Sequence, residues 1–416
     1  LMLYYQEDSL FCEGISCQSL IDRFSTPLYI YSQTAIEKAI KTYHCAFNKL
    51  PLTLFYAVKA NSNLSLLRLM HRLGTGFDIV SEGELKRVLT IAGNAHKVLF
   101  SGVNKSDEAL KLGVENDIFS FNIESLKEID RLQKVAAALN KKVRISFRVN
   151  PHVDAKTHPY IATGLKQSKF GIPYNEALAA YRYAATLPNL KIVGISSHIG
   201  SQLIDLSPLK EAAALIFVLV DHLASLGIHL NHVDLGGGIG IRYQDEAPPD
   251  YADYAASLVP FFNRHPSLSL LLEPGRSLIG NAGALLTRVQ SLKEAPENRF
   301  VIVDAGMNDL IRPSLYGSYH HILPVKRRLN IKEKAADIVG PICESGDYLG
   351  KKRSLAVQDG DALAIASAGA YAASMASNYN SRLKAAEILL HKGKAHLIRT
   401  RETFAQLIEN ELTCLD

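Results

Sequence analysis

The feature that most constrains this chain is a rhythm. From about residue 28, short apolar runs rich in Val, Ile, Phe and Tyr alternate with helix-length amphipathic segments. The strand candidates are Leu54–Lys59, Gly76–Val80, Lys97–Phe100, Ile118–Asn122, Val143–Asn150, Ile192–His198, His232–Leu235 and Ser269–Glu273. Near-continuous hydrophobicity is what a strand covered on both faces of a parallel sheet requires. Between them, Leu206 to Leu226 carries apolar residues at helical spacing, and Ser81 followed by Glu84 has the capping-box pattern. Eight strands, each followed by a helix-length segment, fit a (β/α)8 TIM-like barrel better than a doubly wound sheet.

The unusual residues support the barrel by where they fall. Lys59, Asp78, His198, Gly236–Gly238 and Glu273–Arg276 lie at or just past the C-terminal ends of strands, the catalytic face of such a barrel. After about residue 283 the rhythm changes. Ala284–Gln290, Arg299–Val303, Lys334–Val339, Ala362–Ala366 and Lys394–Ile398 read as strands joined by turns, with Gln358-Asp359-Gly360-Asp361 a turn signal. The expected division is a barrel over residues 27–282 and a mostly-β barrel or sandwich over 283–416, with residues 1–26 packing on the latter.

Composition excludes several classes. At 47% hydrophobic and 21% charged residues, disorder and coiled coil are poor readings. Lys plus Arg number 46 against 41 Asp plus Glu, and they form no basic stripe, so a nucleic-acid partner is not expected. Lys326-Arg327-Arg328 reads as a solvated loop. No apolar stretch approaches the ~20 residues of a membrane span, and the N-terminal residues lack the basic region and apolar core of a signal peptide. Cys12, Cys17, Cys45, Cys343 and Cys414 are scattered and form no paired zinc motif, so the expectation is a reduced, cytoplasmic protein without a metal.

Several groups could carry chemistry. Lys59 ends an apolar strand, where an ammonium is costly unless it snorkels to solvent or its amine is used. A shielded amine there has a lowered pKa and can form a Schiff base with an aldehyde. Gly236-Gly237-Gly238 follows a strand and is either a tight turn or a cradle whose backbone N–H groups approach a phosphate. It is neither a Walker loop nor a dinucleotide fingerprint. Glu273-Pro274-Gly275-Arg276 offers a carboxylate for a protonated ring nitrogen and an arginine for a carboxylate, or an ordinary ion pair. His198, before Gly200-Ser201, could present a flat ring for stacking. Cys343-Glu344-Ser345-Gly346-Asp347 puts a thiol beside two carboxylates in a turn. Gly369–Asn380 is rich in small residues, as a segment packed closely on a ligand or partner would be.

In this order, those segments resemble one family, the barrel-fold pyridoxal-phosphate decarboxylases of basic amino acids, and within it the diaminopimelate branch. The resemblance runs from Pro27 to about Glu411. It rests on Phe55–Asn61, His152–Ile172, Ser197–Gln202, Val233–Gly240, Glu273–Arg276, Cys343–Asp347 and Gly369–Asn380. It implies an alanine-racemase-like barrel with a C-terminal β domain and pyridoxal 5'-phosphate as cofactor. Lys59 would hold the cofactor, with Asp78 nearby, His198 stacked on its ring and Glu273 at its ring nitrogen. Ser201, Gly237, Gly238, Gly275, Arg276 and Tyr371 would surround its phosphate. Arg276, Arg312, Tyr316, Glu344 and Tyr371 would hold an amino-acid substrate. Cys343 would come from the second protomer of a homodimer and protonate the carbanion. The Cys-Glu-Ser-Gly-Asp turn is that of enzymes acting on meso-diaminopimelate in lysine biosynthesis, where ornithine enzymes carry Cys-Asp-Gly. An ornithine, lysine or arginine decarboxylase of the same fold, or a non-catalytic cofactor-binding relative, are the alternatives.

Overall fold

The computed structural model describes residues 2–155, 157–164 and 168–415. Lys156 and 165–167, inside the His152–Ile172 segment, lie outside the described residues. The chain divides into two units, one of Ile40–Ile241 and Ala247–Ser277, the other of Leu1–Ala39, Arg242–Glu246 and Leu278–Asp416.

The first unit is a closed parallel barrel. Its strands are β1 (Leu52–Ala57), β2 (Gly76–Ile79), β3 (Val98–Phe100), β4 (Ser120–Ile123), β5 (Val143–Asn150), β6 (Leu190–Ser196), β7 (His232–Asp234) and β8 (Ser269–Leu272). Each pairs in parallel with the next, and β8 pairs with β1 to close the ring. All eight coincide with the expected apolar runs. Helices lie between them where the amphipathic spacing predicts, the longest being Ser207–Ser225. Phe55, Leu99 and Leu271 pack together inside the ring. A polar thread runs through that core: the Ser120 and Ser146 hydroxyls lie 3.1 Å apart, and Ser146 lies 2.9 Å from His232 Nε2.

The second unit is mostly β. The twelve-residue strand Gly283–Glu294 pairs antiparallel with Arg299–Val303, Ala362–Ile365 and Leu28–Ser32. Leu28–Ser32 in turn pairs in parallel with Ala386–His391. This strand follows the N-terminal boundary expected for the barrel at residue 27, yet it lies in the β unit, as does the first half of the helix Gln33–Ala46. Its apolar residues fit a buried strand of either unit, and only its partners decide. The N-terminal residues do pack here: Leu3, Leu10, Cys12, Cys17, Leu20 and Ile21 share an apolar cluster with Ala284, Leu286 and Ile388. Cys12 and Cys17 are free, buried thiols in that cluster. Among the described residues, no helix is long and apolar enough to cross a membrane.

Candidate functional site

A cavity of about 370 Å³ opens at the C-terminal ends of the barrel strands, lined by Lys59, Asp78, Asn122, Arg148, His198 and Glu273 among others. Strand β1 stops at Ala57, and a single 3-10 turn, Val58–Ala60, carries Lys59. Lys59 Nζ donates to Asp78 Oδ2 at 2.9 Å; the carboxylate is fully buried while the lysine side chain keeps 39% of its exposure. The lysine is therefore held by a charge partner, and the snorkelling alternative is not needed to account for it. The other Asp78 oxygen, Oδ1, is buried and accepts no hydrogen bond.

His198 follows β6. Its Nδ1 accepts from the Gly237 backbone N–H at 3.2 Å. Burial, helped by the Arg148 and Lys59 charges, holds its pKa well below the ordinary histidine value, so the ring is neutral. Arg148 is fixed by Glu124 at 3.1 Å and lies over the Phe170 ring at 4.7 Å.

The three glycines are there for close approach of backbones. Gly236 and Gly238 have φ of +67° and +100°, and a Cβ on Gly238 would meet Gly200 O at 2.3 Å. A Cβ on Gly237 would meet Glu273 O at 2.2 Å, so the loops after β6, β7 and β8 interlock backbone to backbone. Arg276 opens the short helix Arg276–Ile279, is buried, and donates from Nη2 to Ser201 Oγ at 2.9 Å. Gly275 packs its Cα on Ala57 and Ala60, where a Cβ would meet Ala60 Cβ at 3.0 Å.

Glu273 follows β8 and accepts from Asn122 Nδ2 at 3.4 Å. Burial, then the charges of Asp234 and Asp78, push its carboxyl well above the usual range. Glu84 also faces this region: its carboxylate accepts from Val80 N–H at 2.7 Å, and burial raises it to about 7. Ser81 Oγ caps Glu84 N–H at 3.2 Å as the sequence predicts, but the Glu84 side chain returns to Val80 rather than to Ser81.

The remaining site candidates belong to the β unit. Arg312 is buried, donates to Ser318 Oγ at 3.1 Å and lies over the rings of Tyr243 and Tyr316 at 4.9 and 5.7 Å. Cys343 is an exposed free thiol whose backbone N–H donates to Asn380 Oδ1 at 2.9 Å. Glu344 Oε1 accepts from the Tyr379 hydroxyl at 2.5 Å. Asp347 is turned inward and accepts from Met307 and Ile342 N–H at 2.6 and 2.7 Å. Of the two carboxylates expected beside the thiol, only Glu344 stays at the surface. Tyr371 holds a left-handed backbone, φ 54°, and Gly369 sits where a Cβ would strike Ile279 O at 1.9 Å.

Sequence reasoning passed over Asn122, Arg148, Glu84 and Asp234. Asp234 stands at the end of β7, so the strand-end rule that selected Lys59 and Glu273 selects it too. A pyridoxal phosphate group needs an amine for its aldehyde, a carboxyl for its ring nitrogen and donors for its phosphate. The barrel residues fit it: a paired amine on Lys59, a carboxyl on Glu273, and a buried Ser197 hydroxyl without a partner.

Comparison with known proteins agrees. The family described as pyridoxal-dependent decarboxylase, pyridoxal binding domain, matches residues 33–280. The chain is 57% identical to a diaminopimelate decarboxylase of Neisseria meningitidis over 98% of its own length and 100% of that protein's. It is 47% identical to one of Haemophilus influenzae, covering 98% of this chain and 99% of the relative. The crystal structure of diaminopimelate decarboxylase from Helicobacter pylori complexed with L-lysine superposes with a TM-score of 0.92 at 41% identity, covering 96% of this chain and 100% of that one. With the barrel, its pocket and these full-length likenesses in agreement, the chain belongs to the diaminopimelate decarboxylase family of pyridoxal-dependent decarboxylases.

Proposed function

We propose that this protein decarboxylates meso-2,6-diaminopimelate to L-lysine and carbon dioxide, the last step of lysine biosynthesis, with pyridoxal 5'-phosphate as cofactor. The observation that carries the reading is the Lys59–Asp78 pair, 2.9 Å apart, in a barrel-mouth cavity that also contains Glu273 and a neutral His198. Pyridoxal phosphate, when bound, supplies an electron sink for the pair of electrons left when carbon dioxide departs.

The chain's own residues do the rest. Asp78 would hold in place the Lys59 amine, the group that would hold the cofactor. His198, unable to take a proton at neutral pH, offers an uncharged flat face to the ring. Glu273 would pair with the ring nitrogen. Ser201, Gly238, Gly275 and Arg276 would supply donors to the phosphate, and Gly237 would act through His198. The far end of diaminopimelate bears an ammonium and a carboxylate together, which calls for a carboxylate and an arginine. Glu344 would suit the first and Arg312 or Arg276 the second, with Tyr316 and Tyr371 as further candidates for holding the substrate.

Cys343 would return a proton to the α-carbon once carbon dioxide has left. In this reading the protein is a homodimer, with Cys343 and Glu344 serving the pocket of the partner subunit, and it works in the cytoplasm, where its thiols stay reduced. The direct test is product analysis with cofactor and meso-diaminopimelate, in which lysine is expected. Carbon dioxide released from ornithine but not from diaminopimelate would overturn it. Sharing of sites is tested by mixing Lys59→Ala with Cys343→Ala protein. Random re-pairing leaves one intact site in half of the dimers, so about a quarter of full activity should return; no recovery refutes it.

A further inference from the structure

Asp234 is a carboxylate next to the pocket that the proposed function leaves without a task. It ends β7, is wholly buried, and does not line the cavity, whereas Glu273, one strand over, does. The backbones of the two strands are in register, Asp234 opposite Leu271, two residues before Glu273. One Asp234 oxygen, Oδ1, accepts the Gly236 N–H at 2.8 Å. The other, Oδ2, is buried with no donor hydrogen directed at it. The Asp234 and Glu273 side chains meet there, within hydrogen-bond reach of each other.

Two carboxyl groups in contact, out of water and with no unpaired cation against them, do not both ionise; one proton between them turns repulsion into a hydrogen bond. Asp234 accepts the Gly236 N–H at 2.8 Å and Glu273 only the longer Asn122 bond at 3.4 Å, so the anion is better held on Asp234 and the proton belongs on Glu273. The groups facing the pair are Asp78 and Lys59 on the pocket side, Asn122 across the ring and Tyr254 behind. Lys59 is engaged by Asp78, which leaves the pair its own proton.

We propose that Asp234 is a positioning residue for Glu273: the two share one proton before the cofactor binds, Glu273 donating to Asp234, and that proton is the one the site offers to a ring nitrogen. The transfer balances, since Glu273 becomes the carboxylate and the nitrogen gains the proton. The inference rests on the reading of Glu273 as the ring-nitrogen partner.

Burial raises both carboxyls: Asp234 to about 6, with the Asp78 charge adding and the bond to Glu273 opposing, and Glu273 well above its usual range, with the charges of Asp234 and Asp78 adding. A carboxyl raised on folding costs stability as pH climbs above its unfolded value of about 4, because the folded state keeps a proton the unfolded state releases. Thermal stability of the cofactor-free full-length chain should therefore fall between pH 5 and 8, and less steeply in Glu273→Gln.

The deciding measurement is the infrared difference spectrum at neutral pH of wild type against Glu273→Gln and against Asp234→Asn, before and after adding pyridoxal phosphate. A protonated-carboxyl band should appear in both differences before addition and vanish afterwards. Asp234→Asn should also weaken cofactor binding about tenfold, one pKa unit's worth of lost proton affinity, while borohydride still fixes the cofactor to Lys59. Absence of the band from the Glu273→Gln difference overturns the proposal, and that spectrum suffices if Asp234→Asn does not fold. A band that depends on both residues yet persists after cofactor addition upholds the shared proton and overturns the ring-nitrogen reading instead.

Discussion

The barrel unit and the β unit keep their reactive groups in opposite ways. In the barrel unit, charged groups at the strand ends have partners within the same unit: Lys59 with Asp78, Arg148 with Glu124, Arg276 with Ser201. In the β unit, Cys343 is exposed and the Glu344 carboxylate is tied to an exposed tyrosine, while the neighbouring Asp347 is buried as a bolt for the turn. A barrel mouth surrounded by strand ends can desolvate a charge and pair it locally. A surface turn can only aim one. The first arrangement suits groups whose proton affinity must be set, the second groups presented to something outside the unit.

The largest expected effect tests the barrel side. Lys59→Ala should lower the decarboxylation rate by at least about 10³-fold, roughly 4 kcal/mol in barrier, and should abolish borohydride fixation of the cofactor. Retained fixation would show that another amine does this work.

Next comes acid stability. Burial holds the His232 imidazole down at about 4, against Ser146 in the barrel core. A histidine lowered on folding loses stability as pH falls below its unfolded value of about 6.5, because the unfolded state takes up a proton the folded state refuses. Between there and about 4 the loss reaches about 3 kcal/mol, and His232→Gln should flatten that limb of a denaturation profile. An unchanged acid limb would break the claim that this charge is excluded from the barrel.

On the β side, Cys343→Ala should slow turnover about 10²-fold with cofactor binding intact, the span of a lost general acid. An equal loss of cofactor binding would mean that the thiol is not merely aimed. Gly238→Ala comes after it, at about 1–3 kcal/mol of folding stability, from a left-handed φ and a backbone contact at 2.3 Å. Asp347→Asn should be the smallest, about 1 kcal/mol, as one of two backbone N–H groups loses a charged acceptor. Denaturant midpoints of the last two would rank them.

The barrel was legible because its signal is local and repeated. Each strand is a short apolar run, and Lys59, His198 and Glu273 stand out as polar residues at strand ends. Leu28–Ser32 shows where that logic stops. It has the same composition as a barrel strand, but its partners are Gly283–Glu294 and Ala386–His391, hundreds of residues away. Nothing within a window of five residues carries that choice. Asp347 and Glu344 stand three apart in one turn, and their opposite fates depend on Met307 and Ile342 presenting N–H groups to only one of them.

The sequence by itself determined the parallel barrel, the change to β structure near residue 283 and the set of strand-end groups, because periodicity and charge placement are properties of neighbours along the chain. Only the tertiary structure decided which strand closes which sheet, that the His198 ring is neutral, and that Glu273 meets Asp234 in a dry interior. Those follow from desolvation and from contacts across the barrel, which exist only once distant strands have paired.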